Sequence, residues 1–275
     1  MGRPKGSKNK NTLAKMGINM TPEVIDSRTD YEILSDIIGR FNLFRELIVE
    51  ASQESGRCVA ISGAPGVGKS YELERQISAA GIPSTVVSGS ISGVELYALA
   101  YKHRQKGDMI VLDDADSIMG DEEGVNLLKI MMDTGKTRTL SWRKQNQKLE
   151  DAGVEAFFQF EGSVIACSNL DWQSTIEAGR SKYAAHLQAL MDRCLYLNLR
   201  IHDRRSIRLW IEYVATEGKM FRAKHIPEAL GREYLTWMSD NQEKLAQYSL
   251  RTLDKLCEMK GKPDWKERAR MTLFR

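Results

Sequence analysis

The stretch Cys58-Val59-Ala60-Ile61-Ser62-Gly63-Ala64-Pro65-Gly66-Val67-Gly68-Lys69-Ser70 decides how the rest of the chain is read. An apolar run of strand length gives way to a glycine-rich turn, and the turn opens a helix. Residues 63 to 70 satisfy the pattern G-x-x-x-x-G-K-[ST]. The glycines let the backbone turn with successive N–H groups pointing inward, and the positive end of the following helix completes an anion cradle. The residues of the cradle are Gly63, Ala64, Pro65, Gly66, Val67, Gly68, Lys69 and Ser70. In that pattern Lys69 reaches the β- and γ-phosphates of a nucleotide and the Ser70 hydroxyl holds Mg²⁺.

Downstream, the helix opened by the loop runs to about residue 80, and residues 82 to 87 form a second strand. A Ser/Gly-rich turn over 88–93 leads into a helix over 94–103. The wholly apolar run Met109-Ile110-Val111-Leu112 has the character of a parallel strand buried on both faces, and it ends in Asp113-Asp114-Ala115-Asp116. Consecutive carboxylates at the end of a buried strand are costly unless a cation or hydrogen bonds compensate them. Asp113 is therefore the second candidate for Mg²⁺, Asp114 the group that orients or deprotonates water, and Asp116 a helix cap or surface residue.

A helix is expected over 123–132, then a hairpin over 137–162 with a polar charged tip. Val164-Ile165-Ala166-Cys167 reads as a further buried strand ending in Ser168-Asn169, and a helix around 186–191 leads to a fifth strand over 193–199. Upstream of the loop, apolar residues at helical spacing over 30–52 predict two helices with a turn at Gly39. Beyond 203 the strand signals stop. Helices are expected over 203–216, 227–240, 243–259 and 264–274, separated by glycine, proline and Asp-Asn breaks. The pattern is α/β: an αβα sandwich with a parallel five-stranded sheet over 30–202, then a small all-helical lid over 203–275, preceded by a basic tail and linker over 1–29.

Composition narrows the setting. The 275 residues are 42% hydrophobic, enough for a substantial core. The four cysteines lie far apart without C-x-x-C spacing, which suits reduced core residues in a cytoplasmic protein. No apolar run is long enough to span a bilayer, so no membrane is expected. The net charge of +3 is a property of the tail: Arg3, Lys5, Lys8, Lys10 and Lys15 account for five of the 40 basic residues, and the other 35 face 37 acidic ones. Gly2-Arg3-Pro4-Lys5-Gly6 is similar to the centre of an AT-hook, which lays an arginine into a narrow minor groove; a solubilising or targeting tail explains the same residues.

With these segments in place the chain resembles the AAA+ ATPases over residues 30 to 260, with Gly63 to Ser70 similar to the family's Walker A motif and Ile110 to Asp116 to its Walker B motif. The family normally has Asp-Glu where this chain has Asp113-Asp114, so the catalytic carboxylate is one methylene shorter. The resemblance implies ATP and Mg²⁺ as ligands. Asn169 matches the sensor-1 polar residue, and Arg251 in Ser249-Leu250-Arg251-Thr252-Leu253 matches sensor 2. Arg193 in Ala189-Leu190-Met191-Asp192-Arg193-Cys194 matches the arginine finger that enters a neighbouring subunit's site. Ile38 and Gly39 match the segment that contacts adenine.

A finger acting in trans implies a homo-oligomeric ring or spiral, usually a hexamer in this family. Ser88 to Gly93 lacks the aromatic grip of peptide-threading members, whereas Arg138, Trp142, Arg143, Lys144 and Lys148 on the hairpin suit phosphates and a base, although a solvated charged hairpin explains the same residues. Hairpin and tail together point to a DNA motor, loader or remodeller in replication or recombination, with a compact layout like that of bacteriophage ATPases. A protein-remodelling chaperone and a slowly hydrolysing, nucleotide-gated scaffold are the other two readings.

Overall fold

The computed structural model describes residues 26–53, 58–135 and 137–275. The basic tail and the AT-hook-like Gly2-Arg3-Pro4 lie outside them. The first helix, α1 (Asp30–Gln53), opens on a capping box: the Thr29 hydroxyl accepts from the Glu32 N–H at 3.2 Å, and the Glu32 carboxylate accepts from the Thr29 N–H at 2.7 Å.

The predicted turn at Gly39 is absent, for α1 runs straight through it. Ile33, Ile37, Phe41, Phe44, Leu47 and Ile48 are buried along one face, while Gly39 points into open space. A mid-helix glycine costs about 1 kcal/mol. Each large apolar side chain on the opposite stripe recovers roughly 1.5–3 kcal/mol on burial, so the stripe decides.

Five strands, β1 (Val59–Ser62), β2 (Ser84–Ser88), β3 (Met109–Asp113), β6 (Ser163–Ser168) and β7 (Leu195–Asn198), form a parallel sheet in the order β2-β3-β6-β1-β7. Their side chains alternate between two apolar layers. Ala60, Ile110, Leu112, Val164 and Ala166 face one layer, and Val59, Ile61, Met109, Val111, Ile165 and Cys167 the other. The first layer is closed by α3 (Gly93–Lys102), α4 (Glu122–Met131) and α7 (Ala184–Met191), and Trp172 at the start of α6 (Trp172–Ala178) packs into it. The second is closed by α1, by α2 (Lys69–Ala80) and by α8 (Arg204–Ala215). This is the expected αβα sandwich, with the three most buried strands at its centre.

Between β3 and β6 the hairpin forms as a two-stranded antiparallel ribbon, β4 (Thr139–Ser141) with β5 (Phe157–Gln159), and its tip carries a short helix, α5 (Gln147–Asp151). Arg138 departs from the basic nucleic-acid surface read from the sequence, whereas Arg143, Lys144 and Lys148 stay exposed. Arg138 is buried, donates Nη1 to the Met131 carbonyl and Nη2 to the Gly162 carbonyl at 2.8 Å, and lies over the Phe160 ring. Trp142 packs against Tyr97, and Lys144 pairs with Glu123. Arg138 satisfies the Gly162 carbonyl and shares the Met131 carbonyl with the Cys58 thiol, hydrogen bonds that compensate the burial of its charge.

The helical part comprises α8, α9 (Met220–Ala223), α10 (Glu228–Asp240), α11 (Leu250–Glu258) and α12 (Trp265–Leu273) around a separate apolar cluster that includes Tyr234, Trp237, Leu253 and Trp265. The helix expected from 243 begins only at Leu250. Ser249 caps it by accepting the Thr252 N–H, and the preceding segment instead bridges Leu245 to Phe274 near the C-terminus.

Candidate functional site

The site sits where the central strands end. Parallel register places Ser62 beside Ser168, and Asp113 beside Cys167, so the residues that follow each strand emerge level with one another. The Gly63 N–H donates to the Ser168 carbonyl at 3.3 Å and the Asp114 N–H to the Cys167 carbonyl at 2.9 Å.

From this edge the phosphate loop turns into α2 with Gly66 at φ 73° and Gly68 at φ 99°, left-handed values that favour glycine. Gly66 is constrained twice over, because a Cβ there would stand 2.8 Å from the Ser249 Cβ. Lys69, buried at the start of α2, donates Nζ to the carbonyls of Gly63 at 2.8 Å and Ala64 at 3.1 Å, and to Asn169 Oδ1 at 2.7 Å. The Asn169 amide nitrogen donates in turn to Asp114 Oδ1 at 2.7 Å. One chain of hydrogen bonds therefore joins lysine, asparagine and carboxylate, and Asp114 reaches it from a left-handed backbone (φ 53°) that aspartate tolerates.

Burial pulls the Lys69 ammonium below the usual lysine value, although Asp114 and Asp113 oppose that shift. Asp113 Oδ1 is buried and makes no hydrogen bond among the described residues. Such an orphaned carboxylate oxygen is expensive, and beside a phosphate loop it fits a hard cation held jointly with the Ser70 hydroxyl.

Asp116 is neither a cap nor a surface residue. It accepts the Ser168 hydroxyl at 2.9 Å beneath the site, where burial raises its pKa and Asp114 adds to the rise. Its neighbours in space, rather than its place after a strand, decide its state.

The helical part packs directly on the loop. The Leu250 N–H donates to the Gly66 carbonyl at 3.0 Å, and the Trp210 indole N–H donates to the Val67 carbonyl at 2.8 Å. The Arg251 Cγ would lie 3.7 Å from a Cβ on Gly66, so the sensor-2 candidate is at the loop. Arg193 is not. It precedes β7, and the Leu195 N–H pairs with the Cys58 carbonyl at the far end of β1 from the loop; its Nη1 donates to the Ala189 carbonyl at 2.6 Å on α7. Ile38 is half-buried in α1 against the same apolar layer as Val67, whereas Gly39 points away from it. Sequence reasoning missed Trp210, which resembles any other aromatic on an amphipathic helix. Among the described residues no group of His, Cys, Asp and Glu forms a pre-built metal cluster, and no helix is long and apolar enough to cross a membrane.

The sheet order, the phosphate loop after β1, the acidic end of β3, the asparagine on the strand between them and the helical unit on the loop make a P-loop α/β fold with a helical C-terminal part, the arrangement expected from the resemblance to the AAA+ ATPases. The chain belongs to the same family as the "uncharacterized 36.7 kDa protein in nrdC-mobD intergenic region" of enterobacteria phage T4, with 32% identity over 252 residues, covering 89% of this chain and 77% of that one. No family model matches the chain. Among solved structures it is similar to a mutant of RuvB from Thermotoga maritima (TM-score 0.49, 12% identity, 86% of this chain and 69% of that one). A second similar structure is NtrX from Brucella abortus in complex with ATP (TM-score 0.46, 12% identity, 90% of this chain and 54% of that one).

Proposed function

We propose that the chain is an ATPase that binds Mg²⁺ and ATP at the phosphate loop and hydrolyses the nucleotide within a homo-oligomeric ring, as a hexamer. The observation that carries this reading is the hydrogen-bonded chain from Lys69 through Asn169 to Asp114, set beside the unpartnered oxygen of Asp113. Lys69 is in place to exchange its loop carbonyls for phosphate oxygens. Ser70 and Asp113 would hold Mg²⁺, which supplies charge neutralisation at the phosphates. Asp114 accepts the proton of the attacking water, and Asn169 fixes that carboxylate's orientation.

Arg251 adds positive charge from the lid over the same phosphates, and Ile38 offers an apolar wall for the base. Arg193, at the opposite end of the strands from its own loop, serves the site of a neighbouring subunit once it releases the Ala189 carbonyl. The unit from 30 to 202 acts as the nucleotide-binding domain and 203 to 275 as its lid.

The substrate we propose is DNA, engaged through the basic residues of the first 17 positions and through Arg143 and Lys148, which remain exposed on the hairpin. A role in replication or recombination follows from that chemistry, with protein remodelling as the competing use of the same motor.

The test is ATP turnover of the purified protein with Mg²⁺, with and without single- and double-stranded DNA, alongside oligomeric state. Turnover that disappears in Lys69→Ala and Asp114→Asn is expected. ATP binding that survives Lys69→Ala unchanged would refute the site, whereas turnover indifferent to DNA and to deletion of residues 1–17 would move the motor to a protein substrate. Negligible turnover in the assembled state, restored by Asp114→Glu, would favour a nucleotide-gated scaffold.

A further inference from the structure

We infer that Trp210 is a positioning residue for nucleotide: from α8, its indole N–H sets the orientation of a phosphate-loop amide and so raises phosphate affinity. The inference rests on the assignment of residues 63 to 70 as the phosphate site.

Its basis is peptide geometry. A trans peptide points its C=O and its N–H in opposite directions. The Gly66 carbonyl is held by the Leu250 N–H at 3.0 Å, which turns the Val67 N–H the other way; the Val67 carbonyl is held by the Trp210 Nε1–H at 2.8 Å, which turns the Gly68 N–H the other way. Two consecutive loop peptides are thus fixed from outside the loop. Their N–H groups belong to the anion cradle.

Trp210 is itself firmly held. It is 4% exposed, stacks on Phe41 of α1 with centroids 4.1 Å apart at 17°, and stacks on its other neighbour Tyr213 at 5.6 Å. The ring joins α1, the phosphate loop and α8 at one point. A loop whose amides swing freely must order them when phosphate binds, and a loop already held has that ordering done.

The test is Trp210→Phe, which keeps an aromatic ring on Phe41 while removing the donor and part of the indole's volume, with Tyr213→Phe as a control for packing around the indole. ATP and ADP affinity are measured by calorimetry, kcat and KM by turnover, and melting temperature in parallel. The expected result is a loss of roughly tenfold in affinity for ATP and ADP, the value of about one hydrogen bond, with KM rising while kcat changes little. The control should bind as the wild type does. A Trp210→Phe protein that melts lower yet binds ATP and ADP as tightly as the wild type would overturn the inference and leave Trp210 a packing residue. Absence of ATP binding in the wild type would instead overturn the phosphate-site assignment itself.

Discussion

Lys69 and Asn169 meet at the carboxyl edge of the sheet, the lysine ammonium donating to the asparagine Oδ1 at 2.7 Å from an element 100 residues away in sequence. Asn169 passes the contact on to Asp114, so its amide faces a cation on one side and a carboxylate on the other. Replacing it with alanine frees both. We expect Asn169→Ala to lower kcat by about a hundredfold, the order found when one positioned polar group at a reacting centre is lost, with KM for ATP within a few fold of wild type. Single-turnover and steady-state measurements check this; a change in KM alone would place Asn169 in binding only.

Gly66 combines a positive φ with the close approach of Ser249. Gly66→Ala should therefore weaken ATP binding by at least tenfold, since a left-handed alanine costs about 1–2 kcal/mol before any clash. Adding Ser249→Gly should recover part of that loss by clearing the contact but not the backbone strain. Equal affinities for the single and double variants would show that the lid contact is irrelevant to the loop.

Arg138 predicts stability, not binding. Arg138→Met strands the Gly162 carbonyl in the core and leaves the Met131 carbonyl only the weak Cys58 thiol as donor. Leaving one buried acceptor unmade and a second with only a thiol donor costs on the order of 3 kcal/mol, which for a chain of this size lowers the melting temperature by roughly 6–12 °C. Calorimetric or fluorescence melting checks this, and an unchanged melting temperature with altered DNA affinity would return Arg138 to the interaction surface.

Glu72 sets an acid limit. Burial opposes its ionisation, but hydrogen bonds from Arg45 at 2.8 Å, Arg75 at 2.6 Å and Gln76 at 2.8 Å outweigh it and hold the carboxyl at about 2. A carboxylate whose folded pKa lies below its unfolded value near 4.3 stabilises the fold above that value. The stabilisation then declines as pH falls through the window between about 4 and 2. Denaturation at stepped pH should show this acid slope in the wild type and a shallower one in Glu72→Gln, which is also less stable at pH 7. Identical slopes would mean that other carboxylates govern acid unfolding.

Much of this was legible in the sequence because the strands are short, wholly apolar and punctuated. Met109 to Leu112 and Val164 to Cys167 announce themselves by burial on both faces, and the residues that end them, Asp113 and Asn169, announce the edge. What stayed hidden depends on partners distant in the chain. Gly39 looked like a break because a local propensity was read without the stripe that overrides it. Arg138 looked like a surface cation because the carbonyls it satisfies belong to residues 131 and 162. Trp210 finds its acceptor only because α8 folds back over 143 residues of sequence to Val67. The 3-10 turn Asp116–Gly120 and helix α6 carry too few periodic residues to signal themselves.

The parallel register of β1, β3 and β6 works as a vernier. Ser62 is level with Ser168 and Asp113 with Cys167, so the three chemistry-bearing ends are aligned by counting residues along neighbouring strands. One residue gained or lost within any of these strands displaces its terminal group by about 3.3 Å and turns the remaining side chains to the opposite layer. Drift in length among kindred chains must therefore be absorbed in the crossover helices and in the hairpin, leaving the three central strands uniform in span.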